Sequence, residues 1–249
     1  MYHILFRTID AVAQKEPSEA EIQAVSRYFT LFVTLQLIGL SGLMVMFFTA
    51  CVTSIIRKRH LCWTSFILSW IVSSVSYSLL VGTSIEYQPP FALCLIQGVM
   101  IYTVPTLTAC TSLSLVIQVL LTVRTFASPP HSPSSTAPSS HRLSTFMLIL
   151  LPYVFGAAMF TLSMVIGLKD RETVTRPPGG FYCNMKNSTP GKISAIVVAI
   201  IMLICVGLGS TISVILRRHW LIFSNQTRTP LATAMRVLCF SAFSVVSIV

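Results

Sequence analysis

Charged residues are scarce in this sequence. Only 10% of its 249 residues are charged, against about a quarter in soluble domains, and 54% are hydrophobic. No Asp, Glu, Lys or His interrupts its long apolar runs, and Arg236 is the only basic residue inside one. Ion-coupled transporters, proton pumps and voltage sensors need ionisable groups at membrane depth. The composition therefore predicts an integral membrane protein and argues against these three classes.

Motifs of enzyme and metal chemistry are missing as well. The seven cysteines form no Cys-x-x-Cys pair. The sequence also lacks the His-Glu-x-x-His and Gly-x-Ser-x-Gly motifs and a phosphate-binding glycine loop. We therefore predict that the protein is not an enzyme and holds no metal and no cofactor.

Six apolar segments are present, each long enough to cross a hydrocarbon core of about 30 Å as a helix. They are residues 28–56, 61–85, 91–124, 143–168, 193–216 and 231–249. They predict an all-α fold, a polytopic membrane bundle of six transmembrane helices. The last segment has 19 residues, near the lower limit for a crossing, so we expect the sequence to be cut off within or just after it.

Polar segments separate the apolar ones. Residues 1–27 form a tail of mixed charge, 125–142 a Ser/Pro-rich loop, and 169–192 a hydrophilic loop. Lys and Arg are divided almost evenly between the two sides of the membrane. The first span, however, has one basic flanking residue, Arg27, on one side and the triplet Arg57–Arg59 on the other. The positive-inside rule then predicts an extracellular tail, a cytoplasmic 125–142 loop and an extracellular 169–192 loop.

The net charge of +10 would suggest nucleic acid as a partner for a soluble protein. Here the basic residues cluster at the ends of apolar runs, where topology and anionic headgroups explain them. The predicted partners are therefore membrane lipids and not nucleic acid.

The third apolar segment, 91–124, is predicted to be the central helix. Its 34 residues would form a helix of roughly 50 Å, which must tilt or protrude from the bilayer. Pro105 favours a kink, and we expect the Thr103 and Thr106 hydroxyls to bond the carbonyls it frees. Its polar residues recur near spacings of three, four and seven, on a stripe that faces helices or water: Gln97, Thr108, Thr111, Ser114 and Gln118.

Serines on one face of the second segment leave two interpretations open. They are Ser65, Ser69, Ser73 and Ser76. As small residues they allow close helix packing; alternatively they line a pocket for a ligand or water. In the second case the predicted ligand-binding residues are Ser73, Ser76, Gln97, Tyr102 and Thr108.

Cys94 and Cys183 lie on the same, oxidising side of the membrane in this topology. Cys94 stands at the start of the third segment, and Cys183 lies in the 169–192 loop. A disulfide between them would fix the loop across the mouth of the bundle; the alternative is two unpaired thiols. By chain entropy the bridge is nominally worth ~4.5 kcal/mol, and less in a membrane, where the inserted chain is already constrained.

Four stretches of the sequence resemble receptor-like seven-helix proteins that are abundant in mushroom-forming fungi and follow the plan of G-protein-coupled receptors. They are SWIVSSVSYSLLVG (Ser69–Gly82), LCLIQGVMIYTVPTLTACTSLSLVIQ (Leu93–Gln118), GGFYCNM (Gly179–Met185) and MRVLCFSAF (Met235–Phe243). The resemblance runs through most of residues 28–249. It implies a plasma-membrane receptor for an extracellular ligand, of which this chain holds the first six helices, with Cys94 and Cys183 as the receptor disulfide.

The resemblance also implies coupling to a heterotrimeric G protein through the cytoplasmic loops. The residues that would face the G protein are Arg57, Lys58, Arg124, Arg217, Arg218 and Arg228. The sequence departs from the Asp-Arg-Tyr motif of rhodopsin-like receptors, since Val123 and Thr125 flank Arg124. The alternative functions are a transporter or channel-like protein, or a truncated receptor fragment that does not signal.

Two glycosylation sequons test the predicted topology. They begin at Asn187 and Asn225, on opposite sides of the fifth segment, so at most one can face the lumen. We expect a C-terminally tagged chain in eukaryotic cells to lose its glycan in Asn187→Gln and keep it in Asn225→Gln. The tag should be accessible to antibody on intact cells. A glycan on Asn225 would invert the topology and place Cys183 in the cytosol.

Overall fold

Five long helices make up most of the described chain. The computed structural model describes residues 19–52, 61–82, 89–127, 138–176 and 182–218. The helices are α1 (Glu19–Val52), α2 (Leu61–Ser78), α3 (Phe91–Ala127), α4 (Pro138–Lys169) and α5 (Thr189–Arg218).

Each of these helices contains a stretch long and apolar enough to cross a membrane. The stretches are Thr30–Val52, Leu61–Ser78, Phe91–Thr125, Phe146–Lys169 and Thr189–Arg218. The chain is therefore a mostly helical, integral membrane protein, as its composition predicts. The sixth predicted span, 231–249, lies outside the described residues, so the count of six stays a prediction.

Helix boundaries differ from the predicted spans by five or more residues in three places. α1 begins at Glu19, ahead of its apolar stretch, and α4 begins at Pro138, inside the predicted 125–142 loop. Proline is tolerated in the first turn of a helix, where an amide hydrogen would have no helical partner. α2 ends at Ser78 and not at residue 85, because the chain turns there. The Val81 amide donates to the Ser78 carbonyl (3.0 Å), and Gly82 adopts a φ of 91°.

Helix α3 lies at the centre of the described bundle. It packs against α2, α4 and α5, whereas α1 contacts chiefly α2. Over an apolar segment of 18 residues in each helix, 56% of the residues are buried in α3, compared with 0% in α1. The prediction that the third apolar segment forms the central helix is confirmed.

Contacts between α3 and α5 show that these two helices run parallel. Cys110 and Cys205 share one buried cluster, and Val119 and Ile212 share the next one along both helices. The two helices therefore end on the same side of the bundle.

The polar stripe of α3 faces neighbouring helices, as predicted. Four of its five residues are buried, and Thr108 is half-buried. Thr111 Oγ1 lies 2.9 Å from Ser69 Oγ of α2, and Thr106 Oγ1 lies 3.2 Å from Ser194 Oγ of α5. These hydroxyl pairs join α3 to helices on both sides, which supports the packing interpretation for the serines of α2.

The hydroxyls near Pro105 do not bond where we expected. Proline in a helix leaves the carbonyl four residues earlier, that of Ile101, without its donor. Thr103 Oγ1 donates to the Val99 carbonyl instead (2.8 Å), because a helical threonine reaches the carbonyl one turn back. Thr106 points away toward α5. The expectation is therefore wrong for both threonines, and neither hydroxyl reinforces the helix at Ile101.

Gly167, near the end of α4, lies close to the side chain of Leu95 of α3. A Cβ at Gly167 would lie 2.5 Å from Leu95 Cδ1, whereas one at Gly207 of α5 would meet nothing within 4 Å. Overpacking a filled site costs about 1–3 kcal/mol. We expect Gly167→Val to lower the thermal unfolding midpoint in detergent micelles and the matched variant Gly207→Val to leave it nearly unchanged. Equal losses in the two variants would contradict this account of the α3–α4 contact.

Candidate functional site

A disulfide fixes the loop between α4 and α5 to the start of α3. Cys94 and Cys183 are joined with an S–S distance of 2.00 Å across 89 residues of sequence, and both are buried. The predicted bridge is confirmed. The part of the bundle that carries it is called the loop end below.

Two short strands shape this loop. After α4 the chain makes a single 3-10 turn, Arg171–Thr173, followed by strand β1 (Val174–Thr175), which pairs antiparallel with strand β2 (Asn184–Met185). Val174 and Met185 are direct partners and both are buried, while Thr175 on the opposite face is exposed. The strands therefore turn one face inward, onto a buried cluster that includes Leu95 and Val99 of α3.

An aromatic contact holds the beginning of the loop. The Arg171 guanidinium lies over the ring of Phe91, the first residue of α3, at 5.6 Å from the ring centroid. A cation–π contact at an exposed site contributes about 0.5–1 kcal/mol. The loop is thus attached to α3 through both Arg171 and Cys183.

Gln97 joins three parts of the structure. Its side chain is fully buried (0% exposed), one turn after Cys94. Oε1 accepts the Cys183 amide hydrogen (3.1 Å), and Nε2 donates to the Ser76 carbonyl of α2 over a longer 3.4 Å. Because an unpaired buried amide costs about 1–3 kcal/mol, both bonds favour this arrangement of α2, α3 and the loop.

Tyr102 continues this network toward α5. Its hydroxyl donates to Asn184 Oδ1, which also accepts the Met185 amide hydrogen (2.8 Å). Ser194 Oγ of α5 donates to the Tyr102 carbonyl (2.8 Å). The loop, α3 and α5 therefore share a continuous set of hydrogen bonds.

The structure brings three of the five predicted ligand-binding residues together. Gln97 and Tyr102 bond the loop directly, and the Ser76 carbonyl accepts a hydrogen bond from Gln97. Ser73 is half-buried on α2. Thr108 lies farther along α3, where its hydroxyl donates to carbonyls of its own helix. A ligand-binding role for these five residues stays a prediction.

Sequence reasoning missed two members of the network, Asn184 and Ser194. Asn184 is a polar residue directly after the bridged Cys183, and that position is the signal that could have drawn attention to it. Ser194 looks like any small residue in an apolar helix, so the sequence carries no signal for it. Asn187, the predicted glycosylation site, accepts the Thr189 amide hydrogen at its Oδ1 (3.0 Å) where α5 begins.

The predicted G-protein-facing residues that the structure describes lie at the opposite end of the bundle. Arg124 near the end of α3 and Arg217 and Arg218 at the end of α5 are exposed. Because α3 and α5 are parallel, these arginines share one side, called the arginine end below. Arg57, Lys58 and Arg228 lie outside the described residues.

Comparison with known protein families and with curated proteins finds no match to this sequence. Any inference about function therefore rests on the arrangement of the helices and the loop. This arrangement is a central helix whose first turn is bridged to a structured loop. Toward its other end, residues 116–123 pack on a second, parallel helix beside exposed arginines.

Two tyrosine variants test how the loop is held. Tyr102→Phe removes the bond to Asn184, and Tyr153→Phe removes a 3.0 Å bond to Ser65 between α4 and α2. Losing one such bond costs about 1 kcal/mol, roughly fivefold in an opening equilibrium. We expect faster hydrogen–deuterium exchange at residues 182–185 in Tyr102→Phe alone. Unchanged exchange in Tyr102→Phe, or an equal rise in Tyr153→Phe, would contradict the assignment.

Proposed function

We propose that the protein is a receptor of the G-protein-coupled kind. In this proposal it lies in the plasma membrane with an extracellular N-terminus, senses an extracellular ligand and couples to a heterotrimeric G protein at the arginine end. The observation that carries the proposal is the continuity of α3. This helix is attached to the loop at one end and packs on α5 at the other.

Packing at the arginine end gives the proposal a mechanism. Val116, Val119, Leu120 and Val123 of α3 form one buried cluster with Ile212 and Leu216 of α5. Close-packed clusters change between discrete arrangements more readily than they deform continuously. A ligand that binds one arrangement more tightly would shift the population toward it and reposition the ends of both helices.

The charge of the arginine end fits an acidic protein partner. Arg124, Arg217 and Arg218 are exposed there, and the predicted topology adds Arg57, Lys58 and Arg228. Complementary charge across an interface raises the association rate and fixes orientation. The same positive charge also suits anionic lipid headgroups, which are the membrane partners in this proposal.

Burial of charge favours a receptor over the transporter or channel alternative. Within the part of the chain whose side chains are described, the only buried charged residue is Arg176, and it belongs to the loop. Ion-coupled transport uses ionisable groups inside the bundle. The other alternative is a truncated receptor fragment that does not signal. Measuring G-protein binding distinguishes this fragment from a working receptor.

The test is binding of a nucleotide-free heterotrimeric G protein to the purified chain in nanodiscs, measured after apyrase treatment. We expect binding above that of empty nanodiscs. Arg217→Ala/Arg218→Ala should weaken it about tenfold, since two interfacial charges are lost. The matched variant Lys186→Ala/Lys192→Ala removes two exposed charges near the loop end and should have no effect.

Two results would overturn the proposal. One is G-protein binding no greater than that of empty nanodiscs, which would leave the non-signalling fragment. The other is protein-dependent solute or ion flux in sealed liposomes without G-protein binding, which would favour the transporter or channel.

A further inference from the structure

A serine of α5 contacts α3 on both sides of Pro105. Ser194 lies in the second turn of α5 and is buried. Its Oγ donates to the Tyr102 carbonyl (2.8 Å) and lies 3.2 Å from Thr106 Oγ1. A hydroxyl has one proton to donate, and the carbonyl takes the proton of Ser194, so Thr106 is the donor in the hydroxyl pair. The hydrogen bonds therefore run from Thr106 through Ser194 to Tyr102.

Thr106 is an exception among the hydroxyls of α3. Every other serine and threonine of this helix donates to a carbonyl three or four residues back, as Thr103 does to Val99 (2.8 Å). The carbonyl four residues before Thr106 is that of Tyr102, the same group to which Ser194 donates. Ser194 therefore takes the place that the Thr106 hydroxyl would occupy in an ordinary helix.

Ser194 has a second acceptor within its own helix as well. A serine in a helix can donate to the carbonyl four residues back, as Ser210 of α5 does to Val206 (2.9 Å). For Ser194 that carbonyl belongs to Pro190. If α5 moved away from α3, Thr106 and Ser194 would thus each have an acceptor in their own helix.

The two arrangements contain the same number of hydroxyl hydrogen bonds. In the bridged arrangement, Thr106 donates to Ser194, and Ser194 donates to the Tyr102 carbonyl. In the released arrangement, Thr106 would donate to the Tyr102 carbonyl, and Ser194 would donate to the Pro190 carbonyl. No proton is transferred, and neither arrangement leaves one of these hydroxyls unpaired. The usual penalty for separating polar groups in hydrocarbon is therefore avoided.

The hydroxyl exchange would take place at the weak point of α3. Pro105 lies between Tyr102 and Thr106 and removes one backbone hydrogen bond, and bending of a helix concentrates at such places. The first turn of α5 is close to the same point, since a Cβ at Gly191 would lie 3.2 Å from Tyr102 Cε1. By bonding residues before and after the proline, Ser194 restrains the angle between the two halves of α3.

We propose that Ser194 and Thr106 form a hydroxyl switch between α3 and α5. The structure shows the bridged arrangement, in which Ser194 joins the two helices at Pro105. In the released arrangement Thr106 takes over the Tyr102 carbonyl, and the start of α5 separates from α3. The use of this switch in signalling rests on the proposed receptor function, because α3 and α5 both end at the arginine end; the switch itself does not.

The first test follows the Tyr102 carbonyl by nuclear magnetic resonance, on the full chain in nanodiscs. Tyrosine is followed by threonine only at Tyr102-Thr103, so carbonyl-¹³C tyrosine combined with ¹⁵N threonine gives one correlated signal. Loss of a hydrogen bond moves the carbonyl carbon signal upfield. We expect Ser194→Ala to keep the wild-type position, because Thr106 then donates. The double variant Ser194→Ala/Thr106→Val should move the signal upfield.

Two results would overturn the hydroxyl switch. If Ser194→Ala already gave the position of the double variant, Thr106 would not take over the carbonyl. If the double variant kept the wild-type position, the carbonyl would have no second hydrogen bond to exchange. Should Ser194→Ala fail to fold, Ser194→Cys replaces it, since a thiol donates only weakly. An intact Cys94–Cys183 bond verifies folding of each variant.

The second test measures the release of α5 by hydrogen–deuterium exchange. Ser194→Ala removes one hydrogen bond between the helices, so residues 192–197 should exchange up to about fivefold faster. The matched variant Ser210→Ala removes an exposed hydroxyl that bonds only its own helix, and it should leave this segment unchanged. Unchanged exchange in Ser194→Ala, or an equal rise in Ser210→Ala, would contradict the release of α5.

G-protein binding in nanodiscs separates the switch from its use in signalling. We expect Ser194→Ala to change this binding by up to about fivefold, in line with the shift in population, and Ser210→Ala to leave it unchanged. Equal binding by Ser194→Ala and the wild type would overturn the link to signalling. Failure of the receptor proposal gives a different result: no variant binds the G protein, while the Tyr102 carbonyl still shows the exchange of donors.

Discussion

The hydrocarbon of a bilayer offers no hydrogen-bond partners, and most of the polar contacts in this structure follow from that constraint. Hydroxyls on the outer faces of the helices bond carbonyls of their own helix one turn back, as Thr34 does to Thr30 (2.7 Å) and Ser210 to Val206 (2.9 Å). Buried hydroxyls also pair between helices, as Ser69 does with Thr111. The hydroxyls that are paired in these examples therefore form hydrogen bonds either within their own helix or between two helices.

At the loop end, buried backbone amides find their hydrogen-bond partners in a different way. The chain between α4 and α5 is not helical there, so its buried amides need partners from elsewhere. The Gln97 side chain supplies one for Cys183, and Asn184 supplies one for Met185. The disulfide brings these groups within reach, and the side chains then satisfy the backbone. This is why a glutamine that looks available for a ligand in the sequence is occupied in the structure.

The sequence was sufficient to predict the features that depend on local pattern. Long apolar runs gave the five described helices, and the periodicity of polar residues gave the buried face of α3. Contacts between residues far apart in the sequence could not be predicted from local pattern. The pairing of Val174 with Met185 and the contact of Ser194 with Tyr102 join residues that no spacing rule connects. The sequence-based helix ends were inaccurate for another reason. Hydropathy predicts which residues lie in the membrane, whereas a helix ends where the backbone turns, as it does at Ser78.

The covalent link between Cys94 and Cys183 also bears on how the chain is made. Cys183 is synthesised 89 residues after Cys94, and α3 and α4 are both threaded into the bilayer in the interval. The bond closes only when the two thiols lie in the same compartment, and two crossings, one by α3 and one by α4, return the chain to the side from which it started. A chain in which one of them failed to insert would keep its sulfurs on opposite sides of the membrane. An intact Cys94–Cys183 bond is therefore incompatible with a chain in which just one of the two helices has crossed.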